Sequence, residues 1–471
     1  MNLLKKIFSD KILLFLNFII IIIIFFLFNK FVNSDSIISG FYLNFIIYFS
    51  IFFVISFIVL VQKFSQIKLI FKIIILSIIL SLYTVEIYLN YFQNTKRAIE
   101  DLQNRKIYAD KLSQDFDTRS KYEVLKELRA RSEIVYPTIP PNDIFTKTSE
   151  FFKEFKNPIY PLANISNSKL VFCNESGKRI IYKSDRYGFR NKDKIWDENE
   201  VDIVIVGDSL VHGACVDDEY VTSNLLAKIS GKKVLNLGTQ GHGPLLQLAA
   251  LKEYAFSKKP KVILWYYSEA NDLSNLMYEM KFEKIEKYIN KSYSQDLLSS
   301  QSLIDKQLIK LVELVKNSEN GIISKDKKNE VDFMSLVKLT KLRAFSSLFF
   351  PENKSLVRYK YSKFNSMDEY FKVLKIANNL VKSWDGELIF VYHPHLTRYM
   401  ASYAFQHGER QYVKFIKSVK SLNIRIIDLK KILFDDIENP KSLYHFGLPG
   451  HPSEYGYELT AKKFNSFLKE E

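Results

Sequence analysis

Three long apolar runs open the chain, and their pattern differs from everything that follows. Residues 12–28 read ILLFLNFIIIIIIFFLF, and further apolar runs cover 41–61 and 69–88. Each run is close to the ~20 residues that a helix needs to cross a bilayer. No small-residue cleavage site follows the first run, which argues against a removable signal peptide. The pattern predicts a membrane anchor over residues 1–91 with three transmembrane helices.

The short loops between these runs indicate an orientation. The basic residues before the first run and in the second loop are Lys5, Lys6, Lys11, Lys63 and Lys68. The first loop offers only Lys30 together with Asp35. Positive charge marks the cytoplasmic side, so we expect a cytoplasmic N-terminus and a large C-terminal part in the periplasm or outside a bacterial cell. If the third run did not cross, that part would be cytosolic.

A charged segment, residues 92–195, follows the anchor. Its first part, 92–134, carries apolar residues at spacings that predict two amphipathic helices, a stalk above the membrane. The stretch YPTIPPND at 136–143 breaks the helical pattern with three prolines. Residues 145–195 have the composition of short strands and turns. We interpret them as a lead-in that packs on the main domain.

The remainder, 196–471, alternates β-rich apolar runs with helical patterns. The predicted strands are 202–206, 233–237, 262–267, 387–392 and 425–429, and the predicted helices lie near 219–230, 244–257, 367–383, 409–421 and 454–469. Such alternation, with nearly continuous apolar strands, predicts an α/β fold in which helices cover both faces of a parallel sheet. Five strands suit a flavodoxin-like order, whose ligands bind beyond the carboxyl ends of the strands. Residues 273–365 form a long insertion, which we interpret as a lid or a docking surface.

Polar residues follow each predicted strand. The first strand leads into Gly207-Asp208-Ser209, and the second into Asn236 and a glycine-rich loop that contains Gly241. The third strand ends before Glu269-Ala270-Asn271-Asp272, and His451 opens the last helix. We expect these residues to share one edge of the sheet. Ser209 would be a nucleophile and His451 its base, because a neutral serine hydroxyl attacks poorly.

An oxyanion formed in such a reaction needs donors. Backbone N–H groups of Ser209 and Gly241 and the side-chain amide of Asn271 are the candidates. His393-Pro394-His395, after the fourth strand, lacks a third ligand, so we predict no metal site.

The four blocks, in this order, resemble the SGNH (GDSL-type) hydrolase superfamily. They are Gly207-Asp208-Ser209-Leu210, Gly241 after Asn236, Asn271-Asp272, and His451-Pro452. The stretches CNESGKRIIYKSDRYGFRN, NLGTQGHGPLLQLA and LWYYSEANDL also resemble a bacterial membrane-anchored branch of these proteins. The resemblance covers about residues 201–471. It implies a three-layer fold and an acyl-serine intermediate on Ser209, with no cofactor.

Two positions depart from the family pattern. Leu448 stands where an Asp usually precedes the histidine by three residues, so His451 must be oriented by a backbone carbonyl or another acid, for which Asp428 is a candidate. Glu269 stands where the asparagine block usually has glycine. Together with His395 and Arg398 it is a candidate substrate contact.

Net charge and cysteine content do little to narrow the possible partners or compartment. The formal net charge of +15 fits an anionic glycan or lipid surface, or simply a lysine-rich solvated face. No zinc-ligand spacing or RNA-binding signature accompanies it, so a nucleic-acid partner is not predicted. Cys173 and Cys215 allow one disulfide or two buried thiols.

The leading hypothesis is a membrane-anchored serine esterase or O-acyltransferase. The resemblance suggests an envelope or extracellular polysaccharide as substrate, and a transferase would need a membrane partner that supplies acyl groups. A catalytically degenerate glycan-binding or assembly subunit is the first alternative. A lysophospholipase or thioesterase is the second.

Overall fold

The structure is a computed structural model of the 471-residue chain. It describes residues 10–32, 36–61, 64–140, 144, 155, 158–323, 339, 366–400 and 405–470. The predicted insertion is therefore described only over 273–323 and at residue 339, and the rest of it lies outside the described residues. The chain divides into two compact units, of which the second holds the described residues of 98–325 and 363–471 and the first the described remainder.

The first unit consists of apolar helices. They are α1 (Asp10–Val32), α2 (Ser36–Val61) and the beginning of α3 (Ser65–Lys111). Among the described residues, one segment, Gln66–Tyr88 of α3, is long and apolar enough to cross a membrane, while the apolar segments Leu13–Asn29 and Ile46–Val61 are shorter. The prediction of three spans is thus not confirmed.

The second unit begins with the end of α3. The first predicted stalk helix is a continuation of α3, and the second is α4 (Lys121–Ala130), which starts at a capping box formed by Ser120 and Glu123. A small sheet follows, made of β1 (Val135–Pro137), β2 (Lys169–Val171) and β3 (Ile181–Lys183). Strand β2 pairs parallel with β1 and antiparallel with β3. Within the predicted lead-in, 145–195, the structure describes the hairpin of β2 and β3, while β1 lies in the segment before it.

The main sheet has five parallel strands. They are β4 (Ile203–Val206), β5 (Val234–Asn236), β6 (Val262–Ser268), β7 (Glu387–His393) and β8 (Arg425–Asp428). Their spatial order is β5-β4-β6-β7-β8, which is the flavodoxin-like order. The α/β fold with a five-stranded parallel sheet is confirmed, and each predicted strand end lies within one residue of the observed one.

Helices cover both faces of this sheet. The remaining described α-helices are α5 (Ser209–His212), α6 (Thr222–Ser230), α7 (Pro244–Ala250), α8 (Asp272–Glu279), α9 (Glu283–Glu286), α10 (Gln301–Ile323), α11 (Ser366–Lys382), α12 (Phe405–Lys420) and α13 (Glu454–Lys469). A π-helical turn, Leu251–Ala255, extends α7.

Alternate residues of each strand enter different cores. On β4, Val204 and Val206 pack with α7, α11 and α12, whereas Ile203 and Ile205 pack with α6 and α13. All four side chains are buried, as expected where both faces of a sheet are covered. The open edge at the carboxyl ends of the strands is left for the polar residues.

Candidate active site

A sharp turn follows the central strand β4 and carries Ser209. A Cβ on Gly207 would lie 2.4 Å from Val211 Cγ2 and 2.9 Å from Tyr266 Cβ, so glycine is needed for the chain to turn here. Asp208 caps the short helix α5 by accepting the N–H of Leu210 at 2.9 Å. This places Ser209 at the first helical position, beyond the end of the strand.

The imidazole of His451 lies beside this serine. Its Nε2 is 2.9 Å from Ser209 Oγ, although 242 positions separate the two residues in sequence. His451 is delivered by the loop that precedes α13, whose first turn is capped by Ser453. At this distance the serine hydroxyl donates to Nε2, which is the geometry for proton transfer.

The other nitrogen of this imidazole contacts Glu175. His451 Nδ1 is 2.8 Å from Glu175 Oε1, and the backbone N–H of His451 donates to Oε2 at 2.7 Å. Glu175 lies in the loop between β2 and β3. No role for Glu175 is predicted from the sequence, although the residue lies within CNESGKR, part of a stretch that resembles the membrane-anchored branch.

Asp428, the sequence candidate for orienting His451, lies elsewhere. Its carboxylate accepts the hydroxyl of Tyr412 on α12. Strand β8 is separated from β4 by β6 and β7, which at about 4.8 Å per strand is roughly 14 Å. The structure therefore replaces Asp428 by Glu175 as the carboxylate at His451.

A buried arginine completes this side of the site. Arg105, near the end of α3, is 2% exposed, donates to the carbonyl of Pro449 at 2.5 Å and lies 3.7 Å from Glu175 Oε2. Gly450 passes between the two charged groups. A Cβ there would lie 2.3 Å from Glu175 Oε2 and 2.6 Å from Arg105 Nη2. Only glycine therefore fits at position 450 of the loop that carries His451.

These charges shift the pKa values of Glu175 and His451. Burial alone would raise the pKa of Glu175, but the charge and hydrogen bonds of His451, with Arg105 nearby, outweigh it and lower that pKa to about 2. Burial alone would lower the pKa of His451, yet the charge and hydrogen bond of Glu175, with a smaller effect of Asp208, raise it. Glu175 is therefore ionised at neutral pH and stabilises a protonated imidazole.

The candidate oxyanion donors lie on the strands that flank β4. Gly241 is in the loop after β5 and has a left-handed φ of +79°. Asn271 follows β6, and its Nδ2 donates to Asp208 Oδ2 at 3.0 Å. Because β5, β4 and β6 are adjacent and parallel, their following loops meet at one edge of the sheet, where Ser209 also lies.

Two buried histidines lie at the glycine loop, and one of them, His212, bonds to it. His212 accepts the N–H of Gln240 at its Nδ1 (3.2 Å), and its Nε2 is 2.7 Å from the hydroxyl of Tyr182. Burial lowers the pKa of His212 and also that of His242, the latter to about 3. Both are therefore neutral.

The three candidate substrate contacts bind one another. Arg398 forms a bidentate ion pair with Glu269, whose Oε2 also accepts the backbone N–H of His395 at 2.9 Å. The Arg398 side chain is 6% exposed. This ion pair joins the loops after β6 and β7, which gives Glu269 a structural partner.

Cys173 and Cys215 form a disulfide, which decides between the two alternatives left open by the sequence. Glu175, Cys215 and His451 place potential ligand atoms within 4.8 Å of one another. They do not fit a metal, because the sulfur belongs to the disulfide and the carboxylate and imidazole are hydrogen-bonded to each other.

No protein-family model and no curated protein matches the chain. Solved structures with a similar fold include a protein of the G-D-S-L lipolytic family from Desulfitobacterium hafniense, with 12% identity, 57% of this chain and 99% of that chain covered, and a TM-score of 0.31. The chain is similar to GDSL-type esterases. The acetyl xylan esterase AlAXEase is another similar structure, with 12% identity, 56% of this chain and 99% of that chain covered, and a TM-score of 0.32. A third is a catalytic mutant of an acetylxylan esterase from Geobacillus stearothermophilus, with 12% identity, 56% of this chain and 92% of that chain covered, and a TM-score of 0.30.

Proposed function

We propose that the protein is a serine esterase or O-acyltransferase that works through an acyl-serine intermediate. Ser209 Oγ attacks an ester carbonyl while its proton passes to His451 Nε2. The oxyanion that forms accepts hydrogen bonds from the N–H groups of Ser209 and Gly241 and from the amide of Asn271. His451 then protonates the departing alcohol, and the acyl group remains on Ser209.

The second half of the reaction regenerates the enzyme. Water, or a sugar hydroxyl in the case of transfer, attacks the acyl-serine carbonyl and gives its proton to His451. The proton returns to Ser209 Oγ as the carboxylic acid or the new ester leaves. Glu175 acts as a positioning residue, because it fixes the tautomer with hydrogen on Nδ1 and stabilises the imidazolium.

One observation carries this proposal: the unbroken series of contacts from Ser209 Oγ to His451 Nε2 (2.9 Å) and from His451 Nδ1 to Glu175 Oε1 (2.8 Å). The series also weighs against a degenerate glycan-binding subunit, since the main reason for that alternative was the missing acid at Leu448. Glu175 supplies an acid from another part of the chain.

The same proposal places the second unit outside a bacterial cytoplasmic membrane, anchored by the three apolar segments. The distribution of basic residues in the short loops supports this topology. The Cys173–Cys215 disulfide supports it as well, because disulfides persist in oxidising compartments. The substrate we propose is an envelope or extracellular polysaccharide, and a membrane partner would supply acyl groups for transfer.

A fluorophosphonate probe tests the catalytic part of the proposal on the full chain in detergent. We expect the probe to label the wild type, and the label to be lost in Ser209→Ala and strongly reduced in His451→Gln. Ser299→Ala, at an exposed serine of the same unit, is the matched control and should label like the wild type. Equal labelling of Ser209→Ala and the wild type would refute a Ser209 nucleophile.

The acceptor and the substrate need separate measurements. Incubation with an acetyl ester and a neutral oligosaccharide separates free acetate from acetylated sugar, and so hydrolysis from transfer. Mass spectrometry of surface glycans with and without the protein tests the polysaccharide. Unchanged acylation of these glycans, with faster turnover of lysophospholipid or thioester, would favour the second alternative instead.

A further inference from the structure

The disulfide lies at the centre of the candidate site. Cys173 follows β2 and precedes Glu175 by two residues, while Cys215 follows Ser209 by six. Cys215 is completely buried, and its Sγ lies 3.9 Å from His451 Nδ1. The bond therefore joins the segment that carries the carboxylate to the segment that carries the nucleophile.

The ends of the Glu175 loop pack on the serine segment, where Phe172 stacks on His212 at 4.5 Å between ring centroids. The polar contacts near Glu175 itself lead mainly away from the main sheet. Asn174 Nδ2 donates to the carbonyl of Asp117 at 2.7 Å, and the N–H of Asp117 donates to the carbonyl of Gly177 at 2.8 Å. These bonds tie the loop to the stalk. Toward the serine segment the described ion pair is Lys178–Asp217, whose lysine side chain is 67% exposed. Exposed ion pairs of this kind contribute little to stability.

We propose that the Cys173–Cys215 disulfide is a positioning element of the active site, which holds Glu175 against His451 and makes esterase activity depend on the redox state of the pair. This inference rests on the proposed function. The bond closes a loop of 42 residues between the two cysteines. Breaking it returns conformational freedom to the Glu175 loop, so the carboxylate is within reach of Nδ1 for a smaller fraction of the time.

The redox step needs an added reductant. A water-soluble phosphine supplies two electrons and, with water, two protons. The S–S bond breaks, Cys173 and Cys215 become thiols, and the phosphine becomes its oxide. Oxidised glutathione reverses the change by thiol–disulfide exchange and leaves reduced glutathione.

Charged and titratable groups face His451 from each segment that packs around it. Glu175 comes from the hairpin loop, Arg105 from α3, Asp208 and His212 from the serine turn, and His445 from the segment before the last helix. Glu175 is the group that raises the pKa of His451 most, while Arg105 lowers it. Loss of the Glu175 contact therefore lowers the pKa of this imidazole.

The test compares pH profiles of kcat/KM for ester hydrolysis by the oxidised and the phosphine-reduced full chain. Because the reaction needs neutral His451, activity falls as pH drops below its pKa. We expect reduction to lower the plateau about tenfold or more, within the range of a general-base contribution, and to move the acid limb to lower pH. Reoxidation with oxidised glutathione should restore both values.

Two variants serve as controls. The double variant Cys173→Ser with Cys215→Ser should resemble the reduced wild type and should not respond to phosphine. Glu175→Gln should already show the displaced acid limb, and its reduction should add little, because both changes act on one contact. Full additivity of the two effects would overturn the proposal.

Folding is followed in the same samples. All three tryptophans, Trp196, Trp265 and Trp384, belong to the second unit, so their fluorescence reports on its integrity. Unfolding on reduction, or a lower plateau with an unmoved acid limb, would overturn a positioning role, as would unchanged activity. Absence of Ser209-dependent labelling in the oxidised protein would instead refute the proposed function itself.

Discussion

The buried carboxylate of Glu175 gives a stability prediction that does not depend on a substrate. In the folded chain its pKa is about 2, compared with an ordinary value of 4.5. The difference of about 2.5 units corresponds to about 3.4 kcal/mol at 1.36 kcal/mol per unit. Because the side chain is only 16% exposed, most of this electrostatic stabilisation should survive screening by solvent.

The direction in which the free energy of unfolding changes with pH follows from how many protons the folded and unfolded chains bind. Between pH 4.5 and about 2 the unfolded chain binds a proton at this position and the folded chain does not, so acid favours unfolding. The stabilisation by Glu175 is complete above about pH 4.5 and is lost as pH falls through about 2. His451 remains protonated over this whole interval, since its pKa is raised, so the partner's charge does not change during the titration.

The perturbation is Glu175→Gln, measured by urea unfolding of the full chain in a mild detergent. Tryptophan fluorescence reports on the second unit alone. We expect the free energy of unfolding of the wild type to fall between pH 6 and 2.5 by about 2–3 kcal/mol more than that of the variant, as most of the 3.4 kcal/mol is lost over this range. Glu438→Gln, at an exposed position, should follow the wild type. Parallel pH dependence of the wild type and Glu175→Gln would refute the reasoning that an ionised Glu175 is paired with His451.

Three further predictions concern the glycine and asparagine loops. A Cβ on Gly238 would lie 2.5 Å from Val211 Cβ, so Gly238→Ala should cost about 1–3 kcal/mol in urea unfolding and lower kcat. Gly231→Ala, which has open space around it but a left-handed φ of +71°, should lose stability through backbone strain and leave kcat unchanged. Asn271→Ala should reduce kcat about 10²–10³-fold with little change in KM, and a loss below threefold would exclude it from the oxyanion hole. Burial raises the pKa of Glu279 to about 8, so the wild type should lose up to about 5 kcal/mol relative to Glu279→Gln between pH 4.5 and 8; a constant difference in unfolding free energy would contradict this.

The regular part of the fold was predictable because its signals are local. Strands buried on both faces are continuous apolar runs, and residues that follow parallel strands must share one edge of the sheet. Ser209 and His451 could therefore be paired across 242 positions from the order of strands and the four blocks alone. The one-residue errors at strand ends have two origins. The predicted strands run on to the apolar residues Leu237 and Leu429, whereas β6 and β7 each continue by one polar residue, Ser268 and His393, beyond their apolar runs.

The carboxylate of the site was not predictable in this way. Glu175 lies in a short charged turn, CNESGKR, whose composition is that of an ordinary surface loop. Its position depends on how the β2–β3 hairpin packs against the main domain. Local sequence patterns do not predict that packing. Asp428 was chosen because it ends a strand, but that argument does not say how far the strand lies from β4.

The burial of Arg105 was likewise not predictable from the local sequence. It is one of several basic residues in an amphipathic helix, and a basic residue there is usually solvated. Its burial is intelligible only once the chain brings the carbonyl of Pro449 and the carboxylate of Glu175 to the same place. A buried guanidinium needs such partners, since an unpaired charge in the interior is strongly destabilising.

These contacts change where the unit that carries the candidate active site begins. The sequence places a domain boundary near residue 196, because the β-α alternation starts there. The acid at His451, the cysteine that fastens it and the arginine beside it all come from residues before that boundary. Each of them acts on a group delivered by the last part of the chain, at 449–451. The stalk and the hairpin therefore belong to the same functional unit as the five-stranded sheet, and the geometry of the serine–histidine pair is set as much by what precedes the sheet as by the sheet itself.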